Sequence, residues 1–135
     1  MKSELVYLLL TAMLTGVLWI PVVIGYVTER GVPTADEYRE ASTSPVPAWV
    51  NRANRAHVNA VENFAQFAAV VLIAHAAGIS NGVTAACAAI YFYARLGHAL
   101  VHLGGIGIFK ARTVLFTIAW IAFLVYAIVV LRHAL

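Results

Sequence analysis

The segment from Val114 to Leu131 most constrains the fold, because Thr117 is its one non-hydrophobic residue. Such a stretch is typical of a helix that crosses a lipid bilayer, whose hydrocarbon core requires roughly 20 apolar residues per helix. The rest of the chain agrees, since 62% of its 135 residues are hydrophobic and 11% are charged. Soluble domains are typically about half apolar and about a quarter charged. The sequence therefore predicts an integral membrane protein.

Four segments have the length and apolarity of membrane spans. They cover about residues 5–28, 49–77, 83–102 and 113–131. The polar loop 29–48 separates the first two, and the later connections are short, which makes consecutive helices antiparallel neighbours. Pro21 lies inside the first span and predicts a kink there. The sequence therefore predicts one transmembrane domain over residues 1–135, an all-α four-helix up-down bundle.

The basic residues indicate the orientation of the bundle, because Lys and Arg accumulate on the cytoplasmic side of membrane proteins. The first and third loops and the adjoining helix end hold Arg30, Arg39, Arg52, Arg55, Lys110 and Arg112. The opposite side holds Lys2 and Arg132. We expect the first and third loops in the cytoplasm and both termini on the non-cytoplasmic side. The net charge of +3 is not gathered into a basic stripe, so no nucleic-acid partner is predicted.

The second helix carries polar residues at spacings of 3, 4, 3 and 4, which places them on one helix face. They are Arg52, Arg55, Asn59, Glu62 and Gln66. Ionisable groups at membrane depth cost about 2.5 to 3.5 kcal/mol each on insertion scales and normally face a bundle interior or an aqueous cavity. Glu62 is the only acid after Glu40. A functional site on this face is therefore expected, with a purely structural polar network as the alternative.

The third helix carries Arg95, His98 and His102 at spacings of 3 and 4, again on one face. Antiparallel packing of the second and third helices brings both polar faces near their cytoplasmic ends. We therefore expect an inward-facing hydrated pocket in which arginines surround Glu62. The two histidines at i and i+4 could also hold a metal ion with Glu62 as a third ligand.

The stretch 52–67 resembles the second-helix signature of the MAPEG family, the membrane-associated proteins in eicosanoid and glutathione metabolism. The matching residues are Arg55, Ala56, Asn59, Glu62 and Phe67. Chain length, four spans and the polar first loop agree with the family, and the chain is most similar to its small bacterial branch. The resemblance implies a homotrimer in the bacterial inner membrane, with glutathione bound between neighbouring subunits near the cytoplasmic side.

The resemblance also implies roles for individual residues. Family positions that contact glutathione are matched by Arg55, Asn59, Glu62, Arg95 and His98, with Arg52 as a second arginine and Arg30 as a further equivalent. Arg112 matches the arginine that we expect to stabilise the glutathione thiolate. His102 falls where family members have a tyrosine implicated in binding or thiol activation, and Val58 replaces an arginine of some members.

These residues favour a membrane-bound, glutathione-dependent transferase or peroxidase that acts on lipophilic electrophiles, with Arg112 and His102 as the catalytic candidates. Its partners would be glutathione, a hydrophobic small molecule and the bilayer. Two alternatives stay open. One is a non-catalytic membrane scaffold that binds a lipid or another anion, and the other is a small transporter or metal-binding membrane protein.

Overall fold

The structure is a computed structural model that describes residues 1–135, apart from the side chain of Ala134. Its helices are α1 (Ser3–Val17), α2 (Trp19–Arg30), α3 (Ala48–Ala76), α4 (Gly82–Leu103) and α5 (Ala111–Ala134), with a 3-10 turn at Ile108–Lys110. The first two helices form one span that is broken at Leu18. The predicted all-α four-helix membrane bundle is thereby confirmed.

The break in the first span has its cause in Pro21. Proline has no backbone N–H, and its ring crowds the carbonyl four residues earlier, which belongs to Val17. Leu18 sits between the two helices, and its N–H still donates to the carbonyl of Leu14 at 3.3 Å. The kink predicted from the proline is therefore present, one turn before the proline itself.

The helix α4 lies at the centre of the bundle and packs against α1, α3 and α5. It begins at a capping box, in which Asn81 Oδ1 accepts the backbone N–H groups of Val83 and Thr84. Small side chains let the neighbouring helices approach closely. The core around α4 is formed by Phe67, Val71, Ala74, Cys87, Ala88, Tyr91, Ala94, Ala119, Ala122, Tyr126 and Val130.

Three helical segments are long and apolar enough to cross a membrane: Ser3–Arg30, Ala48–Ala76 and Ile108–His133. Many of their large apolar side chains are exposed, among them Leu72, Ile73, Ile121 and Ile128. A bilayer is the solvent that favours such exposure, and the chain is an integral membrane protein. The remaining long helix, α4, carries Arg95, His98 and His102, and the bundle buries all three. Its polar groups therefore face protein instead of hydrocarbon, as intramembrane ionisable groups normally do.

Candidate functional site

Arg95 joins α4 to α3 through Asn59. Its Nη2 donates to Asn59 Oδ1 at 2.8 Å and to the Asn59 carbonyl at 3.0 Å. Asn63 Nδ2 donates to the same carbonyl at 2.8 Å. Both acceptors of the arginine are neutral, and its Nη1 is buried without a hydrogen-bond partner among the described residues. The guanidinium, 5% exposed, is therefore held in place but gains no opposite charge from this contact.

His102 joins α4 to the start of α5 through Arg112. The histidine Nε2 and Arg112 Nη1 are 3.3 Å apart. Because a guanidinium only donates hydrogen bonds, Nε2 is the acceptor and the ring proton of a neutral His102 lies on Nδ1. That Nδ1 is buried and has no partner within the described part of the chain. The ring of His98 stands edge-on to that of His102, with 5.5 Å between centroids.

Three cavities adjoin these contacts. The first, here called the α3 cavity, has about 360 Å³ and is lined by Asn54, Arg55, Val58, Asn59, Glu62 and His102. The second, the α5 cavity, has about 290 Å³ and is lined by His98, His102, Arg112, Thr113 and Phe116. The third, the aromatic cavity, also has about 290 Å³ and is lined by Asn63, Gln66, Tyr91, Arg95, Phe116, Ala119, Trp120 and Phe123. His102 is common to the first two and Phe116 to the last two, so the cavities follow one another along α4.

The predicted site residues differ in how deeply they lie. Arg95, His98 and His102 are buried and Asn59 is half-buried, whereas Arg55 and Glu62 are exposed on the single subunit. The polar faces of α3 and α4, predicted to converge, meet at the Arg95–Asn59 contact. Arg55 and Glu62 line the outer side of the α3 cavity instead of being enclosed between the two helices.

Arg52 lies apart from the three cavities, beneath the connection between α4 and α5. Gly105 in that connection has a φ of 65°, a left-handed conformation that favours glycine. A Cβ atom at position 105 would lie 3.0 Å from Arg52 Cζ. The side chain of Arg52 therefore packs against Gly105, one residue after the C-cap of α4 at Gly104.

Arg30 also lies elsewhere, at the end of α2. Its guanidinium donates to the carbonyls of Ser42, at 2.7 Å, and Ser44, and it stands 4.9 Å from the centroid of the Tyr26 ring. It lines a separate cavity of about 500 Å³ under the first loop. In the same loop, the backbone N–H and the hydroxyl of Thr34 bind the Glu37 carboxylate and hold its pKa below the usual value. The structure thus uses Arg30 to brace the loop and does not bring it to the cavities along α4.

The family model described as the MAPEG family matches residues 5–132. The chain belongs to the MAPEG family. The resemblance read from residues 52–67 is confirmed, and it extends over nearly the whole chain. No curated protein matches the sequence. MAPEG proteins are membrane proteins that include glutathione transferases and peroxidases, together with members of other activities.

The set proposed for a metal ion is not gathered in this MAPEG protein. Among its described residues, no group of three His, Cys, Asp or Glu side chains lies close enough to hold a metal. His98 and His102 line the α5 cavity, while Glu62 lines the α3 cavity. The two histidines therefore take part in packing and in the Arg112 contact.

One buried acid of this MAPEG protein was not predicted from the sequence. Glu4 is 4% exposed and lies at the opposite end of the bundle, where Oε1 accepts the hydroxyls of Thr84 at 2.7 Å and Ser80 at 2.9 Å. Its position directly before the apolar run that begins at Leu5 does not by itself indicate burial. The signal that could have found it is Thr84 at the start of α4, a hydroxyl that must find a partner when buried.

Proposed function

We propose that this MAPEG protein binds glutathione in the α3 and α5 cavities and, as a transferase or peroxidase, uses its thiol to attack lipophilic electrophiles. The observation that carries the proposal is a set of cations without protein counter-ions. The buried Arg95, whose acceptor Asn59 lines the α3 cavity, bonds only neutral oxygens, and the exposed Arg112 contacts a histidine. A buried charge such as that of Arg95 requires a partner. An anionic ligand beside Asn59 would supply it.

The chemistry of glutathione suits the α3 cavity. The tripeptide has two carboxylates, one ammonium and one thiol. An arginine fork binds a carboxylate through two parallel hydrogen bonds, which suits Arg55. Glu62 is the acid in the same lining and could receive the ammonium, while the amide of Asn59 can meet a peptide group. Binding of the glutathione ammonium by Glu62 would explain why this carboxylate lies in the same lining as Arg55.

The α5 cavity offers the surroundings that activate a thiol. A nearby guanidinium favours the thiolate over the thiol and so raises the reactive fraction at neutral pH. Arg112 is held at that position by the Nε2 atom of His102. In the transferase reaction the thiolate sulfur bonds an electrophilic carbon, the bond from that carbon to its leaving group breaks, and the thiol proton passes to water. In the peroxidase version two glutathione molecules reduce a hydroperoxide to an alcohol and water and become a disulfide.

The exposure of Arg55 and Glu62 supports an assembly in which another subunit covers them, and the family resemblance implies that this assembly is a homotrimer. Charged side chains on the outside of a subunit at membrane depth are costly unless another surface covers them. A neighbouring subunit that closes the α3 cavity would cover both and enclose the bound glutathione. We place this site on the cytoplasmic side of a bacterial inner membrane, with both termini on the opposite side, in accord with the basic loops.

Calorimetric titration of the purified protein with glutathione tests the proposal. We expect saturable binding that weakens at least about tenfold in Arg55→Ala and in Glu62→Ala, since each removes a charge-assisted hydrogen bond worth about 1.5 to 3 kcal/mol. Arg39→Ala is the matched control, because it removes an arginine from the exposed loop and should leave the affinity unchanged. Equal affinities in all variants would contradict the proposal.

Native mass spectrometry of the purified protein tests the alternative of a non-catalytic scaffold. Bound lipid without glutathione, together with no thiol consumption, would favour the scaffold.

A further inference from the structure

The cavity of about 500 Å³ under the first loop, here called the loop cavity, lies apart from the cavities along α4. The end of α2 contributes Tyr26, Val27 and Arg30 to its lining, and the loop contributes Glu37. The other lining residues are uncharged. Its volume falls within the usual range of small-molecule sites, roughly 300 to 1,000 Å³. The lining therefore offers one cation, one anion and apolar surface to a ligand.

The two charges of the lining do not neutralise each other. Arg30 donates to the carbonyls of Ser42 and Ser44, while the Glu37 carboxylate accepts the N–H and the hydroxyl of Thr34. No hydrogen bond joins Arg30 to Glu37 in the part of the chain that the structure describes. The Thr34 bonds are the main cause of the lowered pKa of Glu37, and the charge of Arg30 is a smaller one. A ligand with both an anionic and a cationic group would give each side chain its counter-ion.

Arg30 keeps N–H groups for such a ligand. A guanidinium has about five N–H donors, and the two carbonyls take one from each Nη atom. Each Nη atom therefore retains a second hydrogen. A phosphate is a suitable acceptor for it, since guanidinium groups bind phosphate oxygens through charge-assisted hydrogen bonds.

The loop cavity lies where lipid headgroups are found. Arg30 ends the apolar segment Ser3–Arg30, which is long enough to cross a membrane. Tyr26, one turn earlier, is typical of the boundary between membrane and water. From Val27 an exposed apolar stripe continues along α2 through Ile24 and Ile20, at spacings of 3 and 4 that keep one helix face. Acyl chains can therefore lie along α2 in continuity with a headgroup in the cavity.

The charges around the cavity select the kind of headgroup. Residues 29–48 hold four acids and two arginines, a net charge of −2, which repels an anionic headgroup. Quaternary ammonium groups are usually bound on aromatic faces, and the guanidinium of Arg30 already stands 4.9 Å from the centroid of the Tyr26 ring. A primary ammonium donates hydrogen bonds to a carboxylate instead, which suits Glu37.

We propose that the loop cavity binds the zwitterionic headgroup of a phosphatidylethanolamine molecule, with its phosphate at Arg30 and its ammonium at Glu37. The lipid holds the first loop against the bilayer surface. It leaves the α3 and α5 cavities open, so the site does not depend on the proposed thiol chemistry.

Native mass spectrometry of the full-length protein in detergent tests the preference for this headgroup. The protein is offered equal amounts of phosphatidylethanolamine, phosphatidylcholine and phosphatidylglycerol with the same acyl chains. We expect phosphatidylethanolamine to be retained about tenfold more strongly than phosphatidylcholine, because choline cannot donate the charge-assisted hydrogen bond to Glu37. We also expect it to exceed phosphatidylglycerol. Equal retention of the three lipids would overturn the proposal.

Glu37→Gln assigns the preference to the carboxylate. The substitution removes the charge and keeps an oxygen for Thr34, and it should abolish the preference for phosphatidylethanolamine over phosphatidylcholine. Glu40→Gln is the matched control, because it removes the same charge from the same loop outside the lining and should leave the preference unchanged. A preference that survives Glu37→Gln would overturn the proposal.

A methylation series of the lipid gives the same test without a substitution. The wild-type protein is offered phosphatidylethanolamine and its N-methyl, N,N-dimethyl and N,N,N-trimethyl forms. Retention should fall as the N–H donors are lost. Constant retention across the series would overturn the proposal even if Glu37→Gln failed to fold.

Soluble competitors separate the lipid from other zwitterions. O-phosphorylethanolamine carries the same headgroup without acyl chains, and glutathione is the ligand that the family resemblance implies for Arg30. We expect neither to displace the lipid at equal concentration. Displacement by O-phosphorylethanolamine would overturn the lipid proposal in favour of a soluble zwitterion, and displacement by glutathione would overturn it in favour of a thiol ligand at Arg30.

Discussion

Arg95 Nη2 donates to both oxygens of Asn59, at 2.8 Å to the side chain and 3.0 Å to the backbone. This pair of bonds crosses from α4 to α3 and fixes a buried cation in the lining of the aromatic cavity. It also means that the asparagine does not act independently of the arginine. Loss of the amide oxygen changes the position of the charge as well as the lining of the α3 cavity.

Asn59→Leu is expected to destabilise the folded protein by about 1 to 3 kcal/mol, because the buried guanidinium then loses its side-chain acceptor. The measurement is unfolding by denaturing detergent, followed by circular dichroism. Asn54→Leu, on the same helix and in the same cavity lining, should change the unfolding free energy by less than about 0.5 kcal/mol. Equal destabilisation by the two substitutions would show that the Arg95 contact contributes nothing.

His102→Phe should reduce the rate of the glutathione reaction on the order of 10²-fold, because the ring nitrogen that contacts Arg112 at 3.3 Å is lost. His102→Tyr places a hydroxyl near that nitrogen and should keep most of the activity. The readout is kcat/KM for glutathione consumption, with glutathione affinity measured in parallel. A phenylalanine variant as active as the tyrosine variant would exclude a role of His102 in orienting the arginine.

Gly25→Ala should destabilise the bundle by about 1 to 3 kcal/mol, the usual cost of overpacking a tight contact. A Cβ at position 25 would meet Val50 Cγ2 at 2.7 Å and Trp49 Cη2 at 2.8 Å. Gly16→Ala is the matched control, since nothing lies within 4 Å of the added methyl group. That substitution should be neutral or stabilising by up to about 1 kcal/mol, because alanine is the better helix former. Thermal unfolding in nanodiscs distinguishes the two, and a stabilising Gly25→Ala would contradict the close approach of α2 and α3.

Glu4→Leu is expected to cost about 1 to 3 kcal/mol in all, because it removes the charged acceptor of the hydroxyls of Thr84 and Ser80. Glu4→Gln retains one oxygen as an acceptor and should cost less. Detergent-induced unfolding at neutral pH compares the two variants. If glutamine proves as destabilising as leucine, the negative charge and not the hydrogen bonding is what Glu4 contributes.

Much of this architecture follows from local patterns in the sequence. The apolar runs predict the spans, Pro21 predicts the break at Leu18, and the spacing of Arg95, His98 and His102 predicts one shared face. The family is also readable from the signature around Arg55. Each of these features lies within a single helix, so its structural effect does not depend on distant parts of the chain.

What the sequence does not reveal depends on contacts between distant segments. The family resemblance implies that Arg30 contacts glutathione, which stays a prediction, whereas its contacts with the carbonyls of Ser42 and Ser44 arise because the first loop folds back over the end of α2. The exposure of Arg55 and Glu62 depends on how α3 turns its polar face relative to the core. The partnership of Glu4 with Thr84 joins residues 80 positions apart, for which no local pattern exists.

The burial of three ionisable side chains in α4 also bears on how the protein is made. A helix that holds Arg95, His98 and His102 enters a bilayer poorly by itself, whereas α3 is apolar enough to do so. Synthesis delivers α3, which carries Asn59, before α4. We therefore expect membrane insertion of α4 to depend on its docking against α3, so that a nascent chain without α3 would leave α4 outside the lipid.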